Sequence, residues 1–383
     1  MPYWWKHPFR VAVAFLIFSF VFCSPSLPAA SDPAGGEASV RGKFLVPTAE
    51  LPFEPARVGL ELLWTQNVPG GEDHPALTNV FPAQDSLLVQ TYDANLLSLE
   101  RESGAWLGGI SLHTQIGEPP VVRDNRVLAI VQGNLLRMDL EEGDVEVEFR
   151  VNLVPSAPYI LHQGLLLVPT EMGEVVAVDP ENGEQEWTFT PGGSVRGALV
   201  VDGQMVYAAA YQGGVMAANV RDGEILWTWE PNNSVVCSCI PEARNGRIYV
   251  GDTNGFVHCL DGDIGLPYWR YPAGSPIERC VGLDGERLLV TTHRGDTLCL
   301  SSGDSTDLLW THPGPDTFLV QGDDRVYLLA EEENALCAVS LDDGEELWRR
   351  KLPADMMVRG GPNQGQLHMF TPAGKVIALS EAE

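Results

Sequence analysis

The stretch Ala177-Val178-Asp179-Pro180-Glu181-Asn182-Gly183-Glu184-Gln185-Glu186-Trp187 is the unit from which this chain is built. A small residue, an acid, a turn and a tryptophan stand at fixed spacing, and the spacing returns. Ala217, Gly223 and Trp227 repeat the Ala, Gly and Trp at offsets of 6 and 10 residues. Ala338, Gly344 and Trp348 do so again, and Cys259, Asp261, Gly265 and Trp269 do so with Cys in place of Ala. Matches at several fixed positions in four places identify an internal repeat, and the repeat sets the fold.

Around this unit the pattern is short apolar runs separated by turn signals. Leu165 to Val168 reads as a strand, Met172-Gly173 as a turn, Val175 to Val178 as a second strand. Pro180 to Gly183 turns the chain again, Glu186 to Thr190 makes a third strand, and Gly197 to Val201 a fourth before the next unit. The turn glycines Gly104, Gly143, Gly183, Gly223, Gly265, Gly303 and Gly344 span 240 residues in six intervals, a mean of 40. Four strands per 40 residues, with no sustained helical periodicity, is the arithmetic of a propeller blade. Gly183 and its equivalents are expected at positive φ, where a Cβ is strained. Asp179 can accept hydrogen bonds from the turn amides just beyond it. A small residue at Ala177 lets the ring of Trp187 or a neighbour pack closely. Burying one such indole removes roughly 150–250 Å² from water, an upper estimate of about 4–6 kcal/mol per blade. The tryptophans read as blade cement.

The copies weaken toward the start. Gly108 falls where the first repeat should carry its Trp, Val147 and Phe149 occupy that region of the second, and one extra residue separates Cys299 from Trp310 in the sixth. The last unit runs through Val376-Ile377-Ala378-Leu379 without a following Gly or Trp, and Leu60 to Trp64 is an outer-strand segment with nothing before it. The two fragments complete each other, so the strand bearing Trp64 is expected to pair with the C-terminal strands and close the ring. Outer strands then fall near 64, 106, 149, 187, 227, 269, 310 and 348. The expected fold is an all-β, eight-bladed propeller of four-stranded blades.

Lys6 and Arg10 precede an apolar run from Val11 to Phe22, with Ala29 and Ala30 beyond it. Twelve apolar residues are short for a bilayer span, and the stretch reads as an export signal. The domain reading is a signal peptide over 1–30, a flexible Pro/Ala/Gly-rich linker over 31–56 and the propeller over 57–383. A lipid anchor on Cys23 is not expected, because Phe22 before it is large. The formal net charge of −28, from 52 acidic against 24 basic residues, excludes nucleic acid and anionic lipid as natural partners. Cys259 and Cys299 stand where other copies have Ala and read as small buried hydrophobes. Cys237, Cys239 and Cys280 lie in corresponding segments, and a bridge among them is open.

The pattern Ala-x-Asp-x-x-(Thr/Asn)-Gly-x-x-x-Trp resembles the repeat of pyrroloquinoline-quinone (PQQ) dehydrogenases and their non-enzymatic relatives. The resemblance covers nearly all of the expected mature chain and implies the fold; one fold hosts both roles. As a quinoprotein dehydrogenase it would hold PQQ and calcium in the central channel, with acids such as Glu278 or Asp316 at its mouth. The adjacent Cys-Cys of many such enzymes is missing, the nearest approach being Cys237-Ser238-Cys239, and PQQ and calcium are not expected. The chain also resembles the outer-membrane protein assembly factor BamB family. That resemblance implies a non-catalytic, monomeric, periplasmic scaffold beside the barrel-assembly machine, docking on the barrel protein BamA through interblade loops that include an exposed Arg. Ser194-Val195-Arg196-Gly197 resembles that segment, so Arg196 is the candidate partner-binding residue, the alternative being that it lines the channel mouth. The acids that accompany it in the family have no clear counterpart in 234–242. The histidines at 74, 113, 162, 258, 293, 312 and 368 show no metal-ligand spacing and read as surface or core residues. Asn232-Asn233-Ser234 is a glycosylation sequon, Glu331 to Glu333 a solvated loop, and no Ser-His-Asp arrangement follows from the order of residues.

Overall fold

The computed structural model describes residues 51–382, except 69–75, 124–125, 212, 232–241, 245, 284–285, 315 and 362–364. The expected signal peptide, the linker up to residue 50, Cys23, Cys237, Cys239 and the sequon at 232–234 lie outside the described residues. No helix among the described residues is long and apolar enough to cross a membrane.

Eight antiparallel sheets follow one another along the chain. Blade 3 is typical, with strands Ile160–His162, Leu165–Pro169, Val175–Val178 and Gln185–Phe189 paired in sequence order. The first strands of successive blades touch: Val200–Asp202 meets Glu242–Arg244, which meets Ile277–Leu283, and Met357–Gly360 meets both Asp316–Gln321 and Leu77–Pro82. The first strand of each blade is therefore the innermost and its fourth the outermost. Leu60–Asn67 supplies the missing outer strand of blade 8 by pairing antiparallel with Lys375–Glu381, from Leu60↔Glu381 to Asn67↔Lys375. Closure of this kind leaves no inner sheet edge exposed.

The repeat motif has a definite place in this geometry. Ala177 faces Leu167 on one side and Trp187 on the other, and Ala217 faces Tyr207 and Trp227 in the same way. Cys259 stands between Tyr249 and Trp269. A small residue between two large ones keeps the row level, which explains why Ala and Cys interchange there. A β-bulge follows each of them, at Ala177/Val178, Ala217/Ala218, Cys259/Leu260, Cys299/Leu300 and Ala338/Val339, and adds local twist to the outer strand. Asp179 Oδ1 accepts the Glu181 amide at 2.8 Å.

The core lies between the blades. Leu167, Ala177 and Trp187 of blade 3 pack with Val206, Ala208 and Ala218 of blade 4, and such interblade clusters recur around the ring. Five of the outer-strand tryptophans reach the last hairpin of the next blade. Trp64, Trp187, Trp227 and Trp310 donate their indole N–H to the carbonyls of Arg101, Val220, Gly262 and Leu341 at 2.7–2.9 Å. The turn glycine is the floor on which that ring rests, as at Gly223 beneath Trp187. Its positive φ, 70° there, is half of its reason for being Gly.

The irregular copies differ for visible reasons. Gly303 does not adopt positive φ, contrary to its six equivalents, because the longer blade 6 turn changes path; Trp269 instead donates to the Gly303 carbonyl itself at 3.0 Å. Between blades 1 and 2 there is no indole, and Gly108 lets the Leu140 carbonyl come against the backbone. In front of blade 8 there is no intact hairpin. Phe53 fills that role, 6.4 Å from Trp348, followed by the one-turn helix Pro55–Val58, so packed residues begin before the expected boundary at 57.

Candidate functional site: the loop face of blades 3 and 4

The hairpin between the second and third strands of blade 3 is closed by bonds from Thr170 N–H to the Glu174 carbonyl and from Gly173 N–H to the Thr170 carbonyl. Met172 at its tip is 83% exposed, an unusual position for a thioether. Glu171 N–H donates to the Val154 carbonyl at 3.0 Å, which lays the blade 2–3 connector alongside; Val154 is 54% exposed. On the other side the blade 3–4 connector runs close, with the Gly193 carbonyl 3.2 Å from where a Cβ on Gly173 would stand.

That connector enters the innermost strand of blade 4, which is broken in two. Ser194–Val195 pairs with Tyr211 and Ala210, and pairing resumes only at Val200–Asp202. Ser156 Oγ holds the Val195 carbonyl at 2.6 Å, and Val195 is buried. Arg196 is the first residue of the break and is exposed, its guanidinium carbon 4.4 Å above the Tyr211 ring. No carboxylate pairs with Arg196 among the described residues. An arginine laid flat on an aromatic ring keeps its N–H fork available at low entropic cost, the chemistry of an interface anchor.

Val154, Met172, Tyr211 and Arg196 thus form one exposed surface: three apolar side chains and a fixed cation on a strongly acidic chain. The sequence picked out Arg196 but missed the three around it, since each lies in a loop without repeat signature. The structural motif residues Ala177, Asp179, Gly183, Trp187, Gly223, Trp227, Gly265, Trp269, Gly344 and Trp348 form the frame of the blades rather than this surface. The side chains of Glu278 and Asp316, and the segment 232–241, lie outside the described residues. Among the described residues no three His, Cys, Asp or Glu side chains converge as a metal site. Cys280 is buried in the core between blades 4, 5 and 6.

A second departure appears when the copies are compared column by column. Where Thr170, Thr292 and Thr371 open the inner hairpin, blade 5 has Asp252; where Val176, Met216, Leu298 and Ile377 precede the small residue, it has His258. The pair meets at 2.6 Å, with Asp252 fully buried and His258 nearly so.

The sequence model of the family described as outer membrane protein assembly factor BamB matches residues 150–239, 229–359 and 278–382, together more than half of the chain. The chain belongs to the BamB family. A curated BamB of Nitrosomonas eutropha is 26% identical over 147 residues, 37% of this chain; the match spans about a third of that relative's length, 36%. The crystal structure of BamB from Moraxella catarrhalis superposes with a TM-score of 0.67 at 14% identity, over 84% of this chain and 97% of that one. A quinohemoprotein alcohol dehydrogenase of Pseudomonas putida HK5 gives 0.57 at 12% identity, over 84% and 76% of the two chains. Likeness at such identities carries the fold, and the fold alone is shared with the dehydrogenase.

Proposed function

We propose that this chain is a non-catalytic scaffold of outer-membrane β-barrel protein assembly, exported by residues 1–30 to the periplasm or the outer-membrane periphery. Its partner is a protein of that assembly process, and the docking surface is the loop face of blades 3 and 4. The observation that carries the reading is Arg196 laid on Tyr211 beside exposed Met172 and Val154. Family membership supports the process, and the cation within an apolar surface supports a protein partner.

The test is a titration of the purified chain against the soluble periplasmic domains of the host's barrel-assembly proteins, a BamA-like component first. Saturable binding is expected, with Arg196→Glu and Met172→Glu each weakening it at least tenfold while the melting temperature stays put. Absent binding, or unchanged binding by both variants, contradicts it.

A quinoprotein reaction is not assigned. Among the described residues no three His, Cys, Asp or Glu side chains converge, and the side chains of Glu278 and Asp316, the acids named for the channel mouth, lie outside them. Adding PQQ and calcium to the purified chain should give neither a bound chromophore nor dye-linked alcohol oxidation; either one would reopen the enzyme reading.

A further inference from the structure

The Asp252–His258 pair stands in a groove of about 400 Å³ between blades 4 and 5, lined also by Trp229, Glu230, Phe256 and Arg270. What it replaces shows what is new. In blades 3 and 8 the threonine hydroxyl at this hairpin accepts one backbone amide: Thr170 Oγ1 from Glu174 and Thr371 Oγ1 from Lys375. Asp252 Oδ1 does the same for Phe256 at 2.9 Å, and also for Asn254 at 2.9 Å. The hairpin therefore needs no carboxylate. The second oxygen, Oδ2, is surplus to the turn, and it accepts from His258 Nε2 at 2.6 Å.

Burying an acid and an imidazole where the fold is content with Thr and an aliphatic residue costs desolvation. The pair has a chemical consequence: in the neutral imidazole the carboxylate fixes the tautomer, placing the proton on Nε2 and leaving Nδ1 as an acceptor. Nδ1 has no partner among the described residues, and His258 lines the groove. The walls beside it are aromatic. The Trp229 ring is 4.9 Å from the imidazole and the Phe256 ring 6.3 Å, both half-buried.

The charges around the groove select the occupant. The Arg270 guanidinium lies 5.0 Å from the Phe256 centroid and disfavours an ammonium there. Asp252 and Glu230 disfavour an anion. A neutral planar group with one donor remains. We propose that this groove binds an aromatic ring bearing a single hydrogen-bond donor, a phenol or an indole, stacked against Trp229 and Phe256 and donating to His258 Nδ1. The volume is ample for one such ring, offered either by a tyrosine or tryptophan of a partner protein or by a free small molecule.

The test uses the whole chain and two capped amino acids, N-acetyl-tyrosinamide and N-acetyl-phenylalaninamide, followed by ligand-observed NMR and calorimetry. His258→Leu alone would strand a buried carboxylate, so the informative variant is the double change Asp252→Thr with His258→Leu, which restores the residues other copies use. Saturable one-to-one binding of the tyrosine amide is expected, at least tenfold tighter than the phenylalanine amide. The double variant should melt within a few degrees of the parent and lose that preference. Binding of p-cresol as tight as the tyrosine amide assigns a free aromatic ligand; binding that requires the capped backbone assigns a partner side chain. The proposal is overturned if the parent shows no saturable binding, if both amides bind equally, if tyramine binds better than p-cresol, or if the double variant binds undiminished.

Discussion

Trp187, on the outermost strand of blade 3, lies over Gly223 in the last hairpin of blade 4, so close that a Cβ on Gly223 would stand 2.8 Å from the indole. Each motif is thus shared between neighbours, since the glycine of one copy serves the tryptophan of the copy before it. Gly223→Ala meets two obstacles, a φ of 70° and an occupied space, and should cost about 2–4 kcal/mol in denaturant unfolding. Gly164→Ala, at φ 85° with nothing within 4 Å, meets only the first and should cost about 1 kcal/mol. Equal losses would remove the docking role from Gly223.

The indole N–H can be weighed by comparing two tryptophans. Trp187 Nε1 donates to the Val220 carbonyl at 2.9 Å, whereas Trp348 Nε1 is buried with no partner among the described residues. Replacing each by Phe removes a bond in the first case and an unsatisfied donor in the second. Trp187→Phe should therefore be the costlier by about 1 kcal/mol, read as the difference in unfolding free energy. The reverse order would contradict the assignment.

The fold was legible because its cause is periodic. Ala177, Gly183 and Trp187 mark three points of one hairpin, and copies at a mean spacing of 40 residues dictate strands and closure. Even the unpaired Trp64 strand could be matched to the chain end. The glycine's second role as a floor for the neighbouring ring was not legible, because it joins residues of different copies. The proposed docking face was half legible. Arg196 came through a family resemblance, but Met172, Val154 and Tyr211 are unremarkable letters until the loops are brought side by side. Asp252 and His258 left a signal in the sequence as departures from the repeat; reading histidines by metal spacing passed over it.

His368 occupies the row position held by Leu167 in blade 3, across Ala378 from Trp64. Burial, and next the Arg101 guanidinium, push its pKa down from 6.5 to about 4. The unfolded chain thus binds a proton near pH 6.5 that the folded chain refuses until about pH 4. The contribution is fully present above pH 6.5 and is lost progressively as pH falls toward 4, on the order of 3 kcal/mol in all. His368→Leu should flatten the stability-versus-pH curve across that window. An unchanged slope would contradict the account.

Burial also pushes the Cys259 thiol up to about 12, so the thiolate is scarce at any ordinary pH. Iodoacetamide at pH 8 should leave Cys259 unmodified in the native chain and alkylate it fully in guanidinium, as read by peptide mass spectrometry. Ready alkylation of the folded chain would mean that the blade 5 row opens.

The docking claim is tested most directly by placing a photocrosslinking amino acid at residue 172 in the native host, with residue 145 on the exposed outer strand of blade 2 as the control. An adduct with an outer-membrane assembly protein is expected from 172, lost when Arg196 becomes Glu, with none from 145. No adduct from 172, or one indifferent to Arg196, would contradict a docking site on the loop face of blades 3 and 4.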